Sequence, residues 1–244
     1  MTQESIFDGC VSFGSDPTGK TDRSIATLDR VLENHPIDRA CVFCWDGVQM
    51  DVRRGNDRAI ELGRNNPRYR PVAVLDPRHT DGGAREVERC EQQGVRLYRL
   101  FPDCHGYPWR YEPLKEIWEI LHGTQNVLLV PGVRYGDVTD FVEAVEKYSF
   151  KRILIGCHYF FYTEFLSVLK RDPLSLMMTV AVNYPNAYET LTQQIGAARV
   201  CFGSNAPIYA IDAGLDVLKN AEIWKEERQR ILSGTLLELL DEKP

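Results

Sequence analysis

Only a few side chains in this 244-residue chain join chemical capability to a position at the end of an apolar run. Arg99 lies in Val95–Phe101, and the loop Pro102-Asp103-Cys104-His105-Gly106-Tyr107 follows it. Arg134 comes after Asn126–Val130, and His158 ends Arg152–Cys157. Asn183 ends Leu176–Val182, and Asn205 follows Val200–Phe202 and Gly203-Ser204. Arginine carries a permanent planar charge that grips a carboxylate with two parallel hydrogen bonds. Histidine exchanges protons near neutral pH, and an amide side chain gives and takes hydrogen bonds without titrating. The set therefore suits a small carboxylate-bearing molecule. His158 would shuttle a proton and Asn205 would donate to a developing anion. Arg99, His105, Tyr107, Arg134 and Asn183 would line the binding surface. Arg99, His105 and Arg134 are expected to form a cationic rim.

The first apolar run, Ile6–Phe13, places Asp8, Cys10 and Ser12 on one face by the two-residue alternation of a strand. Asp46 and Asp76 follow the second and third runs and read as loop caps. The aromatic run Tyr159-Phe160-Phe161-Tyr162 reads as a cover and core contact.

The elements that must carry these residues alternate along the whole chain. Strand-like runs are Ile6–Phe13, Arg39–Trp45, Tyr69–Leu75, Val95–Phe101, Asn126–Val130, Arg152–Cys157, Leu176–Val182 and Val200–Phe202. Helical spacing follows each one. After Asp22, which is placed to cap, Ile25, Leu28, Val31 and Leu32 fall on one side of a helix. Further helices are expected near Asn56–Arg64, Gly83–Gln93, Pro113–Leu121, from Asp137, and over Phe161–Lys170, Ala187–Ile195, Ile211–Asn220 and Lys225–Leu240. Eight strand-helix units in this length predict a single-domain α/β fold, a (β/α)8 TIM barrel over 1–244. An open doubly wound sheet is the competing architecture. Against it, no strand is followed by a glycine-rich phosphate loop, since Gly14–Lys20 lacks the required spacing. In a barrel, side chains at the C-terminal ends of the strands meet at one mouth.

Composition narrows the partners. The net charge is −6 with no block of like charge, which argues against nucleic acid. No apolar run approaches the ~20 residues of a membrane span. Met1-Thr2-Gln3-Glu4-Ser5 lacks the basic and apolar regions of a leader, so a cytoplasmic location is expected. Seven cysteines are an odd number, and several lie inside apolar runs, where a thiol acts as a small hydrophobe. A reduced, structural role follows. Cys41 and Cys44 have CxxC spacing, but residues three apart on a strand face opposite ways.

Five segments, in order, resemble one family. They are Ile6-Phe7-Asp8-Gly9-Cys10-Val11-Ser12-Phe13-Gly14, Val95–Pro102 continuing to His105-Gly106-Tyr107, Ile153-Leu154-Ile155-Gly156-Cys157-His158, Ala198–Pro207 and Arg230-Ile231-Leu232-Ser233-Gly234-Thr235. The chain is similar to the amidohydrolase-related, metal-dependent hydrolases, in the branch that includes aminocarboxymuconate semialdehyde decarboxylase. That resemblance implies a TIM barrel. It also implies a divalent metal such as zinc, held by a first-strand HxH, a fifth-strand histidine or lysine, a sixth-strand histidine and an eighth-strand aspartate. Here those positions hold Cys10, Ser12, Pro131 or Gly132, His158 and Asn205. Asp8, Cys10 and His158 are weak candidate ligands, while a hydroxyl and a neutral amide bind metal poorly. No cofactor is therefore expected.

Two functions fit these residues. One is hydrolysis or non-oxidative decarboxylation of a small carboxylate at the barrel mouth, without the usual metal. The other is a non-catalytic relative that binds a small anion or serves as a partner subunit. The resemblance also makes a homo-oligomer an open expectation.

Overall fold

Eight parallel strands pair in chain order around a barrel: β1 (Ile6–Phe13), β2 (Ile37–Cys44), β3 (Tyr69–Leu75), β4 (Leu97–Leu100), β5 (Val127–Pro131), β6 (Lys151–Ile155), β7 (Ser175–Met178) and β8 (Val200–Cys201). The computed structural model describes residues 5–16 and 18–243, so the leader reading falls, apart from Ser5, outside the described residues. The helices are α1 (Ile25–Glu33), α2 (Trp45–Gln49), α3 (Val52–Asn65), α4 (Ala84–Glu91), α5 (Pro102–His105), α6 (Leu114–Leu121), α7 (Asp137–Ala144), α8 (Tyr162–Arg171), α9 (Ala187–Ile195) and α10 (Ile211–Asn220). Two more, α11 (Lys225–Gln229) and α12 (Thr235–Leu239), end the chain. The architecture is a (β/α)8 TIM barrel.

The barrel closes between β8 and β1. Gly9 N donates to the Phe202 carbonyl at 2.9 Å, Asn205 N to Cys10 O at 2.8 Å and Ser12 N to Ala206 O at 2.9 Å. Gly9 is required there, because a Cβ on it would sit 2.5 Å from Met178 Cε and 3.0 Å from Phe202 O. The register slips between Asp8 and Val11. Asp8 Oδ1 accepts from Cys10 N at 3.0 Å, so the side chain takes a donor that the ladder would otherwise use. Strict alternation therefore fails: Phe7 and Cys10, three apart, both pack into the barrel interior.

Two apolar cores follow from the two faces of the strands. One lies between barrel and helices and holds Leu28, Trp118, Phe141 and Phe165. The other fills the interior with Cys10, Phe43, Val74, Leu97, Phe101, Leu129, Ile153 and Met178. Cys41 belongs to the interior and Cys44 to the outer layer, so the CxxC pair faces opposite ways as the spacing predicts. All seven cysteines are free thiols.

The last helix departs from the sequence reading. A π turn over Arg230–Gly234 interrupts it, and the Ile231 carbonyl accepts from Phe202 N at 2.9 Å, fastening the helix to the end of β8. At α1 the cap is Ser24, which accepts from Thr27 N, and Asp22 instead accepts from Ser24 N at 2.9 Å. No helix among the described residues is long and apolar enough to cross a membrane.

Candidate ligand site

Arg99 brings a charge into the barrel interior. Its register neighbours on β3 and β5 are Val74 and Leu129, both of the interior core, so Arg99 points inward with them. Its guanidinium carbon lies 4.6 Å from the ring centres of both Phe43 and Phe101. Each face of aromatic density attracts the cation, by about 1 kcal/mol apiece at a partly exposed site. Nη1 donates to Cys10 Sγ at 3.2 Å, and Cys10 Sγ donates to Asn205 Oδ1 at 3.7 Å. Arg99 Nε is buried and has no hydrogen-bond partner. Burial pushes the Cys10 thiol above its ordinary range, against the pull of the guanidinium beside it. The sulfur is thus a neutral thiol near pH 7 and leaves the arginine charge uncompensated.

Asn205 owes its position to a left-handed backbone, φ 61°, which asparagine tolerates better than most residues. Just before it, Ser204 N donates to Asp8 Oδ1 at 3.0 Å. Asp8 is fully enclosed, and its Oδ2 has no partner. Burial pushes the Asp8 carboxyl up to about 6 despite the hydrogen bonds from Ser204 and Cys10. Asp8 stitches β1 to β8 beneath the mouth. Ser12 Oγ accepts from Trp45 Nε1 at 3.1 Å and is likewise committed to structure. Trp45 closes this side of the mouth, with ring centres 5.2 Å from Phe43 and 5.7 Å from Phe101.

His158 and Asn183, both exposed, line a second part of the mouth. With Thr179, Ser204 and Tyr209 they border a cleft of about 380 Å³ at the ends of β6, β7 and β8. Ser204 joins this cleft to Asn205 along the chain. The structure thus brings Arg99, Cys10 and Asn205 together, and places His158 and Asn183 on a cleft that reaches Asn205 through its chain neighbour Ser204.

The expected cationic rim does not assemble. His105 is buried in α5, where Nε2 donates to the Val48 carbonyl at 2.8 Å and Nδ1 faces Asp76 Oδ1 at 3.7 Å. Tyr107 stacks on Tyr111, with ring centres 5.7 Å apart, and is buried. Both residues are enclosed and support the mouth from behind Phe101. Arg134 lies exposed on the loop before α7, where its backbone N donates to Asp137 Oδ2 at 2.8 Å. Asp46 and Asp76 pair with Arg58 and Arg78. Burial opposes ionisation of Asp76, but the Arg78 hydrogen bonds hold its carboxyl below the ordinary range. Phe43, Trp45 and Phe101 were not singled out from the sequence. Phe101 stands two residues after Arg99, on the same face of its strand, which is the signal that marks it.

A metal does not fit this donor set. No group of three His, Cys, Asp or Glu able to hold a metal ion occurs among the described residues. Gly132 leaves no room for a ligand, since a Cβ there would meet Phe165 Cζ at 2.6 Å and Val138 Cγ1 at 2.7 Å, on the helix side of the sheet. An ion on Cys10 Sγ, at a bond length of about 2.3 Å, would lie within about 5.5 Å of the Arg99 Nη1 nitrogen. A divalent ion at that separation is repelled by about 1.5 kcal/mol in water and about 6 kcal/mol at an effective dielectric constant of 20.

Comparison with known proteins agrees with the fold. A profile of the amidohydrolase family matches residues 37–241. The chain belongs to that family. Among solved structures it is similar to 2,6-dihydroxybenzoate decarboxylase from Rhizobium, with TM-score 0.77, 14% identity, and coverage of 98% of this chain and 99% of that one. It is similar to 5-carboxyvanillate decarboxylase from Sphingomonas paucimobilis, with TM-score 0.77, 12% identity, and coverage of 99% and 100%. It is also similar to a dihydroxybenzoic acid decarboxylase from Polaromonas that holds manganese and the inhibitor 2-nitroresorcinol, with TM-score 0.72, 16% identity, and coverage of 98% and 97%. At these identities the likeness is one of fold. No curated protein matches the chain. Within the amidohydrolase family, then, this chain keeps the barrel and carries an arginine, a thiol and an amide in a chain of contacts at its interior.

Proposed function

We propose that this amidohydrolase-family barrel binds a small carboxylate at its C-terminal mouth and removes the carboxyl group without oxidation. The observation that carries the reading is Arg99, a permanent cation held against two adjoining phenyl rings, with Nε unpartnered and no carboxylate paired to it among the described residues. Arg99 and Asn205 would hold the carboxylate of the substrate. Cleavage of the bond to that carboxyl releases CO2 and leaves an electron pair on carbon. His158 would supply the proton that replaces it and regain one from water. Two of the similar barrels are decarboxylases, which supports this assignment. Hydrolysis would leave His158 as the base that activates water. Asn205 cannot take a proton, and Asp8 is sealed beneath the mouth.

One observation favours a second reading, in which the chain binds the carboxylate and leaves it intact. His158, the proton donor named here, makes no side-chain hydrogen bond among the described residues that would orient its ring.

The test is a panel of small aromatic and aliphatic carboxylic acids, 2,6-dihydroxybenzoate among them, assayed in parallel for binding and for CO2 release. Turnover that falls about 100-fold or more in His158→Gln, with binding kept, supports catalysis. Binding without turnover supports the second reading. A native protein that binds none of the panel refutes both.

A further inference from the structure

The interior of this barrel presents a charge without a counter-charge. Arg99 projects from β4 into a layer otherwise made of Val74, Leu129 and Ile153. It is half-buried, and no carboxylate among the described residues pairs with it. Its side-chain hydrogen bond runs to the Cys10 sulfur at 3.2 Å, which is not a carboxylate. A guanidinium does not shed its proton in a protein, so Arg99 is positive at every working pH. An unpaired charge in apolar surroundings is costly unless an anion meets it.

Two further observations fix the character of this charge. The rings of Phe43 and Phe101, 5.3 Å apart centre to centre, both lie against one side of the guanidinium with its carbon 4.6 Å from each, so an aromatic wall positions the cation before any ligand arrives. It touches Cys10, and Cys10 touches Asn205. These two residues occupy the first-strand and eighth-strand ligand positions in the sequence resemblance. A barrel of similar fold holds manganese. Here the first-strand position is met by a side chain that brings its own positive charge.

We propose that Arg99 is the resident cation of this barrel and stands in the electrostatic place of a metal ion, so that an anionic group meets the guanidinium directly with no metal between. This rests on the carboxylate reading for the identity of the anion, and is independent of whether that anion is transformed. It also gives a reason for the neutral residues around Arg99. Histidine at Cys10 or aspartate at Asn205 would offer the guanidinium an internal partner or a bound metal, and either would fill the place that an external carboxylate takes.

Calorimetric titration separates the parts, with Mn2+ and benzoate as probes on the full chain. Native protein is expected to take up no Mn2+ at millimolar concentration. It should bind benzoate equally well with and without EDTA, and lose that affinity by about 30-fold in Arg99→Met. A second series restores the inherited ligand types with Cys10→His, Ser12→His and Asn205→Asp. With Arg99 retained, this form should bind Mn2+ at least tenfold more weakly than with Arg99→Met added. Arg99→Lys, which keeps the charge and loses the planar fork, should leave Mn2+ binding weak. Circular dichroism confirms that each variant is folded, and Arg99→Gln replaces Arg99→Met if the latter is not. One Mn2+ per native chain surviving dialysis, or benzoate binding that requires metal, overturns the inference. So does a restored form whose Mn2+ affinity ignores residue 99. None of these arms reads turnover, so an inactive barrel that binds benzoate through Arg99 sinks the decarboxylation reading and leaves the inference standing.

Discussion

Replacing Asp8 by asparagine should remove a pH dependence of stability that this one side chain imposes. Asp8 is fully enclosed, accepts from the backbone amides of Cys10 and Ser204, and leaves Oδ2 without a partner. Burial raises its carboxyl from 3.8 to about 6. The folded state therefore holds the proton more tightly than the unfolded chain. A raised pKa contributes stability that is fully present below the unfolded value, and that is lost as pH rises through the folded value. The loss runs from about pH 4 to about pH 6 and levels off above. A shift of this size corresponds to about 3 kcal/mol. For a domain of this length that is about 6–12 °C in Tm. Asp8→Asn keeps an oxygen acceptor for the two amides and carries no charge to bury. It also turns the orphaned Oδ2 into an unpartnered donor, at a pH-independent cost of about 1–3 kcal/mol. Thermal unfolding of both proteins from pH 4 to pH 7.5 gives the comparison, and the difference between them cancels the other titrating groups. Asp8→Asn should be the weaker protein at pH 4, and should match or exceed the native one above pH 6. A difference that stays constant across this window would refute the account of Asp8.

Two other substitutions probe the frame around the site. Gly132→Ala should destabilise the barrel by about 1–3 kcal/mol in chemical denaturation, because its methyl collides with Phe165 and Val138; an unchanged midpoint would contradict the close approach of α7 and α8 to β5. Asp172→Asn should cost about 3–5 kcal/mol, since it strips the buried Arg152 guanidinium of a two-pronged partner at 2.6 and 2.7 Å. Replacing both residues with leucine should recover part of that loss in the same measurement.

The strands were readable because each is a short apolar run bounded by polar or turn residues, and burial on both faces is what a parallel barrel strand demands. The site was readable only in part. Arg99, His158, Asn183 and Asn205 could be placed at strand ends from periodicity alone. The contact between Arg99 and Cys10 spans β4 and β1, 89 positions apart, and depends on how the barrel closes. The fate of His105 was hidden for a similar reason: its partner is the Val48 carbonyl of α2, a helix of five residues whose sequence continues the strand before it. Trp45 ends the second apolar run in the sequence but opens that helix in the fold, with its indole fixed by Ser12. The slip at Asp8 arises because a carboxylate captures the Cys10 amide, a local competition that simple alternation does not register. The break at Arg230–Gly234 answers to Phe202, a residue on another element, so helical spacing alone reads straight through it.

The central claim is that this interior meets an anion with an arginine and no metal. It is tested most directly by a crystal structure grown with benzoate and Mn2+ and recorded at the manganese absorption edge. The account predicts carboxylate density on the Arg99 guanidinium within hydrogen-bonding distance, and no anomalous peak beside Cys10. A manganese peak coordinated by Cys10 and His158, with the benzoate bound through it, would contradict the account.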